Sequence, residues 1–130
     1  MTGMTNLDQM LAQIVPELSQ SEYVFASFPG ARYGDLASLA PVACVQEKEG
    51  LTLVLERSVA ETAGVSCDQL FRRISLNVHS SLVSVGLTAA VSAALADNGI
   101  PANMIAGAFH DHIYVPSGQA SEAMEVLLSC

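Results

Sequence analysis

The chain has 130 residues, of which 51% are hydrophobic and 14% charged, and 13 acidic side chains against five basic ones give it a formal net charge of −8. That length suits one domain, or two very small units sharing a core, and the composition is too apolar for a disordered chain. The negative charge repels phosphate backbones and anionic lipid headgroups, so neither nucleic acid nor a membrane surface is an expected partner.

Leu7, Met10, Leu11, Ile14 and Val15 recur at helical spacing, with Asn6 as a possible cap and Pro16 as a breaker, which predicts a short amphipathic helix. Glu22 to Phe28 is dense in aromatic and β-branched residues and ends at Pro29-Gly30, the pattern of a strand entering a turn. In the next segment Asp35 could cap a single helical turn through Leu39. Two apolar runs then flank Glu47-Lys48-Glu49-Gly50, and Gly50 tolerates the positive φ that a tight connection needs, so Pro41 to Arg57 predicts a β-hairpin. Ser58 to Val65 predicts one or two helical turns ending at Gly64.

From Arg72 the strand period is clear. Ile74, Leu76 and Val78 take one face with Arg72, and Arg73, Ser75, Asn77 and His79 the other. Ser80 or Ser81 can cap a helix running to Asp97, and Asn98-Gly99 before Pro101 is the composition of a left-handed stop. This helix carries no charge before Asp97, and Leu87, Val91 and Leu95 form its bulky ridge. Helices apolar on every side are normally covered on more than one, by another part of the chain or by a second subunit. A membrane span is excluded because the segment, interrupted by Ser84, Gly86, Thr88 and Ser92, falls short of the roughly 20 strongly apolar residues a bilayer needs. Asn103 to Ala108 and His112 to Val115 predict a second hairpin. Ser117 could cap a last helix with Ala120, Ala123, Met124, Leu127 and Leu128 on its apolar stripe.

The second half thus reads strand, helix, strand, strand, helix, which is the ferredoxin-like order without its last strand. An α+β sandwich follows, with helices on one face of a mainly antiparallel sheet. An open edge needs a partner, and the strand Tyr23 to Phe28 is expected to fill the vacant place.

Cys44, Cys67 and Cys130 show no CxxC spacing, and the first ten residues lack a basic stretch and an apolar run, so a reducing cytoplasm is the expected location. No nucleophile elbow and no phosphate loop occurs, so no catalytic residue is assigned. His79, His110 and His112 with Asp111 raise a metal reading. Zinc needs three or four donors converging on it, however, and His79 belongs to a separate segment, so neither a metal nor another cofactor is expected.

The turn Asn77-Val78-His79-Ser80-Ser81 joins a strand end to a helix start, where backbone N–H groups without partners attract an anionic oxygen. A ligand carboxylate fits there, and so does a plain serine cap. Gly86 could admit a ligand or a closely packed helix. Asp111, in the second hairpin turn, has a solvated surface acid as its plain alternative.

Leu51 to Glu56 (LTLVLE) and the run RISLNVHSSLVSVGLTAAVSAALADNGIPANMIAGAFHDHIYVP resemble the small bacterial ACT-domain proteins, relatives of the tandem ACT modules that sense amino acids. The resemblance spans roughly Leu51 to Pro116. It implies a ferredoxin-like (ACT-like) βαββαβ sandwich of two ACT-like halves, a shortened one over residues 1–66 and a second over 67–130. It further implies an amino-acid-binding regulatory module without catalysis, its ligand at Asn77, Val78, His79, Ser80, Ser81 and Gly86, with Asp111 similar to a turn acid that helps hold a cationic ligand group. The uncharged helix and the apolar composition add the expectation of a homodimer. The reading from another class is a protein-interaction module that binds no small molecule.

Overall fold

The structure, a computed structural model, describes residues 14–76 and 86–129. The chain divides into two compact units, one of Met1–Gln20 with Arg72–Cys130 and one of Ser21–Phe71.

In the Ser21–Phe71 unit, strands β2 (Ala43–Glu47), β3 (Gly50–Glu56) and the later part of β1 (Pro16–Pro29) lie side by side in that order. β1 and β3 are antiparallel from Tyr23↔Glu56 to Pro29↔Gly50, and β2 and β3 from Ala43↔Val54 to Glu47↔Gly50. The hairpin is the expected one, and Gly50 closes it at φ +150. Alternation along the strands sends Val24, Ala26, Leu51, Leu53 and Leu55 into one core with Ala60 of helix α1 (Arg57–Thr62). α1 stops at Gly64, φ +74, where Val65 N–H returns to the Ala60 carbonyl at 2.9 Å.

Where the ferredoxin order puts its first helix, this unit has a single 3-10 turn, Ala37–Leu39. Asp35 does not cap it. Its Oδ2 instead accepts the Arg32 N–H at 2.8 Å, closing the preceding loop backwards, and Leu36 holds the N-cap position without a side-chain bond. A hollow of about 260 Å³, lined by Tyr33, Leu36, Ala37, Cys44, Leu51 and Leu53, lies over this stretch.

In the other unit the order is β1, β4 (Phe71–Leu76), β6 (Asp111–Pro116), β5 (Asn103–Ala106). This is the ferredoxin-like order with all four strand places filled. The strand at the vacant edge is β1, but it starts at Pro16 rather than Glu22, and the sequence reading is corrected there. Proline is tolerated as the first residue of a strand, so Pro16 opens this one. Phe25 meets Phe71 of β4 edge-on with ring centroids 5.2 Å apart, and bonds that fasten the earlier part of the strand to β4 come from Ser19. Its hydroxyl accepts the Arg73 backbone N–H at 3.0 Å, and its carbonyl accepts from the Arg72 guanidinium, the Nε at 3.0 Å.

Helix α2 (Leu87–Asp97) buries Leu87, Val91 and Leu95 against Ile74, Leu76, Ile113 and Val115. The described helix begins at Leu87, and the expected start near Ser81 lies outside the described residues. Gly86 occupies its N-cap at φ +104, a conformation that cannot continue a right-handed helix, so it does not lie in a second turn. The stop is the expected one: Gly99 takes φ +72 and Ile100 N–H reaches the Leu95 carbonyl at 3.0 Å. The outward residues Thr88, Ala89, Ala93 and Ala96 are exposed, so among the described residues only one side of α2 is covered.

Helix α3 (Ala120–Leu128) follows a 3-10 turn, Ser117–Gln119, so Gln119 and not Ser117 stands at its N-cap. Gln119 Nε2 donates to the Gly99 carbonyl at 3.1 Å, joining the start of α3 to the stop of α2. Ala120, Ala123 and Leu127 are buried and Met124 packs beside them, whereas Leu128, one step further round, is 66% exposed. The helix expected over Leu7 to Val15 lies almost wholly outside the described residues, and no described helix is long and apolar enough to cross a membrane.

Candidate functional site

β4 ends at Leu76, directly before the turn singled out in the sequence. Asn77, Val78, His79, Ser80 and Ser81 lie outside the described residues, as does the capping role given to the two serines. Gly86 and Asp111 are described, the first at the N-cap of α2 and the second at the start of β6.

Asp111 opens β6, opposite Ala106 on β5. At 8% exposure it is the only charged residue buried among those described, so it is not the solvated surface acid of the plain alternative. Strand alternation places it on the same face as Ile113 and Val115, which pack in the core that also receives Leu87 of α2.

The opposite face of the sheet carries a polar group that the sequence reading did not single out as a site. Ser75 Oγ and His112 Nδ1 lie 2.8 Å apart, joining β4 to β6, and both residues are half-buried. The other edge of the ring faces the hairpin turn, where a Cβ on Gly107 would stand 3.9 Å from Nε2 and 2.9 Å from the His110 carbonyl oxygen. Gly107 N–H donates to that same carbonyl at 2.9 Å, closing the turn. Burial, then the charge of Arg73 on β4, then His110 hold the His112 pKa below its ordinary value, against a smaller opposing effect of Asp111. The ring is therefore neutral near pH 7. Alternation along β4 put Arg73 and Ser75 on one face, but which β6 residue lies across from them depends on a register no short motif encodes.

No group of three or more His, Cys, Asp or Glu side chains placed to hold a metal occurs among the described residues. Cys44 and Cys67 are half-buried free thiols. A hollow of about 560 Å³ in the Ser21–Phe71 unit lies beside Val24 to Ser27 and is lined by Val65, Ser66, Asp68 and Gln69, with none of the expected site residues.

Two family profiles, each described as an ACT domain, match residues 2–72 and 69–129. Among solved structures the chain is similar to a Vibrio cholerae protein of unknown function, described as a possible transport protein. It shares 48% identity with it over 93% of this chain and 92% of that one, at a TM-score of 0.84. The fold is also that of the regulatory subunit of aspartate kinase from Thermus flavus, with 10% identity, 88% and 94% coverage and a TM-score of 0.57. Clostridium acetobutylicum aspartate kinase shares it over 88% of this chain and 34% of its own, with 9% identity and a TM-score of 0.64. No curated protein matches the chain.

Proposed function

This chain belongs to the ACT-domain family, and from that premise we propose that it is a cytoplasmic regulatory module that binds a small amino acid and has no catalytic activity. The ligand carboxylate sits at Asn77, Val78, His79, Ser80 and Ser81, with Gly86 and Asp111 completing the site. In this reading residues 1–66 form a shortened ACT-like half and 67–130 a second one.

The observation that carries the reading is the buried carboxylate of Asp111 at the start of β6, on the side of the sheet that faces α2. An acid at the start of β6, beside the β5–β6 turn, can meet a cationic ligand group, so lysine or arginine is the expected ligand class. Calorimetric titration with each of the twenty amino acids tests it: heat for lysine or arginine supports the reading, and heat for none of them ends it.

The working form is a homodimer. The outward residues of α2, Thr88, Ala89, Ala93 and Ala96, are exposed and uncharged in a chain of net charge −8, a surface that a second copy can cover without charge repulsion. The same surface favours the second reading, an interaction module without a ligand, which the titration separates from the first.

A further inference from the structure

The Ser75–His112 contact joins the two chain segments that lead into the proposed ligand site. Ser75 stands two residues before Asn77, and His112 directly follows Asp111. We propose that Ser75 and His112 form an acid-sensitive fastening between the end of β4 and the β5–β6 turn, and that this fastening sets the affinity of the amino-acid site. The ligand clause rests on the function proposed above.

The geometry supplies both parts. Nδ1 is 2.8 Å from Ser75 Oγ on one side of the ring, while the Nε2 edge lies against Gly107 in the turn that closes beside Asp111, so a single imidazole spans β4, β6 and the turn. The charged and titratable groups around it are Arg73 from β4, His110 from the turn and Asp111 from β6. Glu17 of β1 shares the open face by alternation, and Ile105, the β5 partner of His112, carries no charge. Protonation leaves Nδ1 able to donate to Ser75 Oγ but adds a charge that burial disfavours, and that Arg73 and His110 repel more than Asp111 attracts, so acid weakens the fastening. A lysine or arginine ligand meets the same added charge.

The test uses the full chain and two variants. His112→Asn keeps an amide at the Nδ1 position without titrating, and Ser75→Ala removes the partner. Binding of arginine and of lysine is measured at pH 7.5 and pH 5.5, and without ligand the His112 ring and the backbone amides of Leu76 and Asp111 are followed by NMR over the same range. The expected result is affinity about fivefold weaker at pH 5.5 for the natural chain and unchanged with pH for His112→Asn. The Leu76 and Asp111 amides should titrate with the ring, and in Ser75→Ala the Leu76 amide should cease to follow it. Equal pH dependence in the natural chain and His112→Asn, or a Leu76 amide indifferent to the ring, overturns the inference. Absence of binding at both pH values ends the functional reading instead, and the amide titration still decides whether the fastening exists.

Discussion

A side-chain carbon at Gly50 would stand 2.2 Å from the carbonyl oxygen of Phe28, and 2.7 Å from the Gly30 nitrogen. Both neighbours are backbone, held by the ladder in which Pro29 faces Gly50, so neither can move without opening β1 from β3. Gly50→Ala should therefore cost about 3 kcal/mol or more, combining this clash with the strain of φ +150. Urea unfolding measures it. A loss below about 1 kcal/mol would mean that the turn rearranges freely.

His112 predicts a pH dependence of stability even without ligand. Its folded pKa lies below the ordinary value of 6.5, so the unfolded chain takes up a proton that the folded one resists. The contribution is fully present above pH 6.5 and is lost as pH falls from there through the folded pKa. Urea midpoints should fall across that window in the natural chain and fall less in His112→Asn. Identical curves for the two proteins would show that the ring is no colder to protons in the fold than out of it.

Hairpins and helix stops were legible because turn chemistry is local: Gly50 and the Asn98-Gly99 pair each announce a backbone conformation that few other residues adopt. Errors arose where a local signal had two meanings. Pro16 reads as a breaker, yet a proline that ends one element can open the next, and only the pairing of Ser19 with Arg72 and Arg73 reveals a strand there. Gly86 sits within an uncharged run of apolar and small polar residues, and its positive φ is invisible until the backbone is seen. Asp111 was legible as a candidate but not as a buried one. The Ser75–His112 contact needed the register of β4 against β6, a tertiary property.

Asp111→Asn keeps the size of the side chain and removes its charge. Affinity for lysine or arginine should fall about tenfold, the scale of a hydrogen bond to a charged group, while affinity for a neutral amino acid changes little. The melting point of the unliganded variant verifies that the fold persists. Equal losses for charged and neutral ligands would take Asp111 out of the recognition of the cationic group.

Ala93 is exposed on the outward side of α2, so glutamate there should leave the monomer folded. In sedimentation at micromolar concentration the natural chain should run as a dimer and Ala93→Glu as a monomer, because the added charge would be buried in the pair. A dimer in both would move the interface elsewhere, and a monomer in both would remove it.

The central claim, that the folded chain holds an amino acid, is tested most directly by a thermal-shift screen against all twenty. A ligand that binds only the folded state, present at about 100 times its dissociation constant, adds about 2.7 kcal/mol and raises the melting point by several degrees at this size. The account predicts such a rise for lysine or arginine, smaller in Asp111→Asn. A rise for glutamate or aspartate alone would contradict the ligand class, and no rise for any of the twenty would contradict the claim itself.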